Sequence, residues 1–535
     1  SFSFHNRDNT VNIPMHKHKA TIIEIFFFIY FPSSYLYFYS NKKNAESNLL
    51  EKRGKIIPKS WEKRGKTMLK NHEKRGKMMY YKEKGAFKMK RQYEDKIQNW
   101  INDSKKALLI YGARQVGKTY LIREMLKRNN ISYFEVNFQE REDILNAIKD
   151  LSNAEDISMK LALYSDIPLI EGESVIFLDE VQLYPEIITK IKFLVDEGKY
   201  RYILSGSNLG VELKGIKSIP VGYVDMFQMF PMNLFEFVNA IGINDTTIKY
   251  LKECFEKLEP VDEIIHKRML NAFYYYLICG GMPSVVDTFV KTRNLREVRD
   301  EQQNIIRQYK ADFIKYENDD KKLKIISIFD SIPAQLNQQN RRFVFTQLDK
   351  ELKFDRYENS FLWLKDAAVA IPIYIANEPK APLILSKSTN QFKLFMSDVG
   401  LLTSCYPDYV SKELLDMNPD YEINNGALFE NYIAEELISN NITPYYFKNK
   451  NIGEIDFMME YDNQIIPLEI KSGKDYKLHK ALDNLLNTRE YSIKKAYILS
   501  PSNIEVDDKN IYLPVYMTGL FGDNKSEDII INLNI

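Results

Sequence analysis

Gly112-Ala113-Arg114-Gln115-Val116-Gly117-Lys118-Thr119 has the form G-x-x-x-x-G-K-T, the spacing that a phosphate cradle requires. Glycines there let the backbone fold into a nest of N–H groups, and a following helix adds positive potential at its N-terminus. Lys118 is then placed for the β- and γ-phosphates and the Thr119 hydroxyl for magnesium. Farther on, Val175-Ile176-Phe177-Leu178-Asp179-Glu180 is an apolar run ending in two acids. A strand there delivers Asp179 to a sheet edge, where it can hold the hydration shell of magnesium. Glu180 is then placed to orient and deprotonate an attacking water. The chemistry implied is hydrolysis of ATP with Mg2+, the nucleotide lying against residues Gly112 through Thr119.

A second group lies near the C-terminus. Glu454–Tyr461 and Gln464–Lys471 read as two strands joined by the two-residue turn Asp462-Asn463. If Tyr461 pairs with Gln464, then Met458 pairs with Pro467 and Asp456 with Glu469. Opposed side chains share a face, with Cβ atoms about 5 Å apart. Lys471, two residues beyond Glu469, shares that face. Ile455, Phe457, Leu468 and Ile470 fall on the other face as core. Opposed carboxylates repel unless a cation sits between them, and magnesium favours a few carboxylates plus water. Lys471 would then stabilise or help activate a nucleophilic water. The alternative is a solvated charged face in which Lys471 neutralises Glu469 or Glu454.

The elements that must position these groups are legible around them. Ala107-Leu108-Leu109-Ile110 reads as a buried parallel strand and Tyr120–Leu126 as a helix, so the cradle lies between strand and helix. Tyr133–Phe138 and Tyr202–Leu204 read as further strands, the latter ending in Ser205-Gly206-Ser207-Asn208. Alternating strands and helices argue for a mostly parallel α/β sheet covered on both faces, with ligand at the carboxyl ends of its strands. Between 321 and 402, short helical patterns (Ile325–Phe329, Tyr357–Ala368) precede two strand-like runs, Val369–Ile375 and Phe392–Met396; helices followed by a hairpin suggest a winged helix. Arg341-Arg342-Phe343, its most basic feature, is either a phosphate-backbone contact or a solvated turn. Leu428, Phe429, Tyr432, Ile433 and Leu437 form an apolar stripe on a later helix.

The chain has 535 residues, enough for three or four domains, and 44% are hydrophobic. Cys254, Cys279 and Cys405 are far apart and make neither a zinc spacing nor a disulfide framework, which fits a reducing compartment. Residues 1–88 hold 19 Lys+Arg and 7 Asp+Glu, a net of +12; since the whole is +1, the remainder is −11. An acidic body argues against indiscriminate nucleic-acid binding. The apolar run Ile22–Phe31 is broken by Glu24 and stopped by Pro32, far short of the roughly 20 residues of a span. Glu-Lys-Arg-Gly-Lys recurs at Glu51, Glu62 and Glu73. A right-handed coiled coil is disfavoured by the glycines and the missing apolar stripe. A basic nucleic-acid tail is one reading; the favoured one is an over-extended reading frame, with starts available at Met78, Met79 or Met89.

The ordered motifs resemble the AAA+ ATP-binding proteins of bacteria and archaea that carry the C-terminal domain of unknown function 4143. Besides the two phosphate motifs, the resemblance rests on Leu204-Ser205-Gly206-Ser207, on Phe230-Pro231-Met232-Asn233-Leu234-Phe235-Glu236-Phe237 and on Gly280-Gly281-Met282-Pro283. It covers roughly residues 89–475. It implies a γ-phosphate sensor at Ser207 or Asn208, and a helical lid in which Gly280-Gly281-Met282-Pro283 ends a helix. It supplies no assured arginine finger, Arg201 and Arg307 being candidates. The C-terminal domain in turn resembles the PD-(D/E)xK nucleases. That resemblance makes Asp456 and Glu469 metal ligands, Lys471 the catalytic lysine and Glu430 an additional acid.

The expected organisation is an N-terminal extension (1–88), a P-loop ATPase core (89–240), a helical lid (241–315), a winged-helix-like module (316–410) and a restriction-endonuclease-like α/β domain (420–535). The expected function is ATP hydrolysis controlling a nuclease-like domain that acts on nucleic acid. The alternative is a nucleotide-controlled switch that binds DNA or a protein and cuts nothing. Copies of the chain are a further expected partner, a membrane is not, and the expected location is cytoplasmic.

Overall fold

The computed structural model describes residues 89–207, 209–212, 220–316, 319–338, 341–344, 357–416, 425–473 and 475–523. The basic N-terminal repeats, the apolar run at Ile22–Phe31 and Asn208 lie outside them. From Lys88 to Ile535 the chain packs as one unit.

Five strands, β1 (Ala107–Tyr111), β2 (Tyr133–Asn137), β3 (Val175–Asp179), β4 (Arg201–Gly206) and β5 (Val224–Gln228), form a sheet in the order β2-β3-β4-β1-β5. Every pairing in it is parallel. Successive side chains of a strand face opposite ways, and here both faces are covered. Leu108, Ile110, Val175 and Phe177 belong to one apolar cluster, while Ala107, Leu109, Ile176 and Leu178 belong to another. That double burial is why β1 and β3 read as unbroken apolar runs. The fifth strand had no such signal, because it is a half-exposed edge.

Helices Leu234–Ala240, Asp245–Lys257, Glu263–Cys279, Pro283–Thr292 and Leu295–Tyr316 follow. Gly280 stands just past the last residue of the third, and Pro283 opens the fourth at its first turn, a position where proline's missing N–H costs nothing.

The second sheet has eight strands in the order β12-β13-β11-β10-β9-β8-β6-β7. They are β6 (Ala370–Ala376), β7 (Lys387–Met396), β8 (Tyr445–Asn449), β9 (Gly453–Tyr461), β10 (Gln464–Ile470), β11 (Ala496–Ser500), β12 (Glu505–Asp507) and β13 (Asn510–Pro514). The β6–β7 hairpin, expected as the wing of a separate module, joins the C-terminal strands through a parallel bridge at Ile375–Tyr446. One sheet therefore spans the two blocks expected at 316–410 and 420–535.

The β9–β10 hairpin has the expected register, from Tyr461–Gln464 through Met458–Pro467 to Phe457–Leu468. Asp462 and Asn463 both have φ near +55°, the twist that a two-residue hairpin turn needs. One expectation is corrected. Pairing of β9 with β8 shifts register between Tyr445 and Phe447. Ile455 consequently packs with Met458 in one core, while Phe457, Leu468 and Ile470 pack in the other. An inserted residue in one strand re-aims the side chains beyond it, and Asp456 lies at that shift. Among the described residues no helix is long and apolar enough to cross a membrane.

Candidate functional site

At the carboxyl end of β1 the chain must turn beneath a neighbouring strand. Met229 donates its N–H to the Tyr111 carbonyl at 2.7 Å. A Cβ on Gly112, whose φ is +149°, would lie 2.2 Å from the Met229 carbonyl oxygen, so only glycine fits. Gly117, at φ +96°, starts the helix Lys118–Arg128. Lys118 is buried, and its Nζ donates to the carbonyls of Ala113 (2.8 Å) and Gly112 (3.1 Å). Burial lowers its pKa to about 8 against the opposing pull of Glu180 and Asp179.

Thr119 donates its hydroxyl to Asp179 Oδ2 at 3.0 Å. Asp179 is further held by Asn137 Nδ2 at 3.4 Å and by a hydrogen bond from the Ser205 hydroxyl to Oδ1. A threonine hydroxyl beside a strand-end carboxylate is the donor set that suits a hydrated magnesium ion, so the residues present fit Mg2+ with ATP. Glu180 turns into the left-handed region at φ +56°, an uncommon conformation for a side chain of its size. Gln182 Nε2 donates to Glu180 Oε2 and lies 3.3 Å from Ser207 Oγ. Gln182 thus bridges Glu180 to Ser207. Spacing gave Gln182, Asn137 and Ser205 no role.

The cradle is braced from two sides. Beneath it, buried Arg91 donates to the Val116 carbonyl (2.8 Å), the Phe230 carbonyl (2.7 Å) and Glu236 Oε1 (3.0 Å). Glu236 also forms a capping box with Asn233, which explains the Asn233–Glu236 spacing. From above, helix Leu295–Tyr316 reaches the loop. Arg114 Nη1 meets Asp312 Oδ1 at 2.6 Å, and the Tyr309 hydroxyl donates to the Arg114 carbonyl at 3.1 Å. Burial raises the Asp312 pKa, opposed by Arg114 and reinforced by Glu180. The same helix holds the Cys279 carbonyl through Gln302 and the Ser404 carbonyl through Gln303.

Those contacts lead to a buried knot. Gly281 donates its N–H to Asp398 Oδ2 at 2.6 Å, and its carbonyl accepts from Met232 N–H at 2.7 Å. A Cβ on Gly281 would stand 1.8 Å from the Met232 carbonyl oxygen. Asp398 caps the helix Val399–Ser404 through Leu401 N–H. Its pKa is raised to about 6 by burial, against four backbone N–H groups that favour the charge. Two acids of helix Gly426–Ser439 complete the knot: Glu435 accepts from Val399 N–H (2.8 Å) and Glu436 from Leu234 N–H (2.7 Å).

At the second sheet, Asp456 Oδ2 accepts from Ile470 N–H at 2.9 Å. Lys471 Nζ meets Glu469 Oε1 at 2.9 Å, while Glu469 Oε2 is buried without a hydrogen-bond partner. Burial first and Asp456 second push the Glu469 pKa up to about 7. A residue absent from the expected set lies among these acids. Lys393 of β7, 1% exposed, places Nζ 3.1 Å from Glu454 Oε1, 3.3 Å from Glu430 Oε2 and 4.0 Å from Asp456 Oδ1. Lys448 takes Glu454 Oε2 at 2.8 Å, and Arg341 pairs with Glu430 Oε1. Burial alone would raise the Glu454 pKa, yet Lys393 and Lys448 bring it below the usual range. Asp456, Glu469 and Glu430, expected as metal ligands, thus face protein cations and backbone. Among the described residues no group of three or more His, Cys, Asp or Glu could hold a metal ion. These residues do not fit a divalent ion.

Arg341, expected as a phosphate-backbone contact or in a solvated turn, points inward to Glu430. Of the candidate finger arginines, Arg201 stacks on Trp100 and donates to its carbonyl at 2.7 Å. Arg307 bonds Asn304 on its own helix.

Comparison with known proteins places families along the chain. Residues 104–238 match an AAA domain, 270–408 a domain of unknown function (DUF8612) and 425–518 a domain of unknown function (DUF4143). The uncharacterized protein MJ1544 of Methanocaldococcus jannaschii is 21% identical over 418 residues, covering 77% of this chain and 82% of its own. Among solved structures, the Walker-type ATPase paby2304 of Pyrococcus abyssi is similar at TM-score 0.37 and 15% identity, over 59% of this chain and 95% of that one. Cdc6p from Pyrobaculum aerophilum is similar at TM-score 0.21 and 12% identity, over 61% and 94%.

Proposed function

We propose that this chain, with its AAA domain and its C-terminal domain of unknown function (DUF4143), is a nucleotide-driven binding switch. ATP is bound and hydrolysed at the β1 loop, and its state is passed to a C-terminal domain that docks nucleic acid or protein without cutting it. The observation that carries the ATP half is the 3.0 Å approach of Thr119 to Asp179, beside Lys118 and Glu180.

When bound, ATP with magnesium supplies the scissile phosphoanhydride and the charge neutralisation that its cleavage needs. Lys118 exchanges the Ala113 and Gly112 carbonyls for the terminal phosphates. Thr119 and Asp179 hold the ion's shell. Glu180 takes the proton of the attacking water once Gln182 releases it, and Ser207, on the other side of Gln182, senses the γ-phosphate. Helix Leu295–Tyr316 is the route outward, because it touches the phosphate loop at Arg114 and the Asp398 knot through Gln302 and Gln303.

Phosphate release by the full chain tests this reading. Lys118→Ala abolishes nucleotide binding; Glu180→Gln keeps binding and loses turnover. Equal turnover in wild type and Glu180→Gln would remove Glu180 from the reaction. A second reading, phosphodiester cleavage by Asp456, Glu469 and Lys471, is favoured by their convergence on one hairpin. Cleavage of nucleic acid that Asp456→Asn abolishes while ATP turnover persists would favour it over the switch. We also propose self-association, with a finger arginine supplied by a neighbouring copy, and a cytoplasmic setting in keeping with the three unpaired cysteines.

A further inference from the structure

A buried lysine is costly unless its charge is matched and its donors are used. Lys393 meets both conditions at the one place in the C-terminal domain where the hairpin pattern calls for a metal. Its side chain reaches across the Tyr446 ring, 5.4 Å from Nζ to the ring centroid. Nζ then faces carboxylates from two separate segments: Glu430 on helix Gly426–Ser439, and Glu454 and Asp456 on β9, with Asp456 at the β8–β9 register shift. An ammonium has three donors; this one lies within hydrogen-bond distance of Glu430 and Glu454, with Asp456 farther off at 4.0 Å.

The remaining oxygens are also engaged. Glu430 gives its other oxygen to Arg341, Glu454 to Lys448 and Asp456 to the Ile470 N–H. Glu469 gives one oxygen to Lys471, and its Oε2 is buried without a hydrogen-bond partner. Four carboxylates therefore meet four cations. A divalent ion of the magnesium or manganese kind needs several inward oxygens at once, and here a protein cation already stands against an oxygen of each of the four carboxylates.

We propose that the Lys393 ammonium is the resident cation of this carboxylate cluster. The site takes no divalent metal, and its role is to fasten β7 to the helix that carries Glu430 and to β9, which carries Glu454 and Asp456. The nuclease-like hairpin is then sealed from within by a residue over sixty positions upstream. This inference stands apart from the ATP reading, since it concerns metal binding by the nucleotide-free protein.

The test is Mn2+ binding to the full chain without nucleotide, by titration calorimetry and by electron paramagnetic resonance of free Mn2+. Wild type and Asp456→Asn should give the same isotherm, any shared weak site being lost instead in Asp179→Asn. Lys393→Met should gain one site, at least tenfold tighter than any in wild type, and the added Asp456→Asn change should remove it. If Lys393→Met does not fold, the comparison of wild type with Asp456→Asn decides alone. A Mn2+ site in wild type that Asp456→Asn or Glu454→Gln abolishes, with Lys393 in place, would overturn the proposal. Failure of ATP turnover would leave this result untouched.

Discussion

Replacing Asp312 with Asn should tighten nucleotide binding, although it removes an ion pair. Asp312 is 8% exposed and Arg114 26% exposed, and the two meet at 2.6 Å. A hydrogen bond to a charged group contributes about 1.5–3 kcal/mol, and the partial exposure of Arg114 argues for the lower end. In the nucleotide-free chain that energy holds the Arg114 guanidinium on Asp312. Arriving phosphates must draw Arg114 off Asp312 and also tolerate a carboxylate close enough to Glu180 to interact with it. Asparagine keeps the shape and removes both costs, so affinity for ATP should rise about tenfold, the equivalent of about 1.4 kcal/mol. Arg114→Met should weaken binding, which fixes the sign of the effect. The pH dependence follows from the raised Asp312 pKa. As pH falls through that value Asp312 loses its charge, wild-type affinity rises, and the gap to Asp312→Asn closes. Titration with a fluorescent ATP analogue at several pH values measures all three. Weaker binding in Asp312→Asn at every pH would refute the reasoning and leave Asp312 a simple anchor for its helix.

Other outcomes follow from the same contacts. Gln182→Ala frees Glu180 from its bridge to Ser207, so turnover by the full chain should change severalfold while ATP affinity stays within about twofold; a loss of affinity alone would place Gln182 in binding. Gly281→Ala puts a methyl group into the Met232 carbonyl and breaks the knot at Asp398, costing about 3 kcal/mol in urea unfolding. Burial raises the Glu436 pKa from 4.5 to about 8. The folded chain therefore holds a proton there that the unfolded chain has released, and this stabilisation, complete below pH 4.5, is lost as pH rises through about 8. Glu436→Gln should flatten that part of the stability–pH curve and raise the urea midpoint at pH 8.5; an unchanged slope would mean that Glu436 is not its source.

The parts of the fold written in contiguous residues were legible. β1 and β3 were visible because burial on both faces leaves no polar position in the run. The β9–β10 register followed from Asp462-Asn463, since a two-residue turn fixes every pair back to Phe457–Leu468. Local pattern no longer sets the side-chain faces where a third strand intervenes. β8 shifts the register of β9 beside Asp456 and sends Ile455 to the other core, and nothing inside the hairpin announces this. Likewise Lys393, Asp312 and Arg91 meet their partners from distant segments. A lysine within Phe392-Lys393-Leu394-Phe395 was nevertheless a signal: a charge at a position that becomes buried must find a counter-charge. β5 gave no signal, because an exposed edge strand needs no apolar period.

A nucleotide-driven switch requires that the phosphate loop and the C-terminal domain share one nucleotide-dependent state. Hydrogen exchange of the full-length Glu180→Gln protein, with and without ATP and Mg2+, tests it most directly. Altered protection is expected not only around Lys118 but also in helices Leu295–Tyr316, Val399–Ser404 and Gly426–Ser439. Saturating ATP that changes protection at the phosphate loop alone would contradict it.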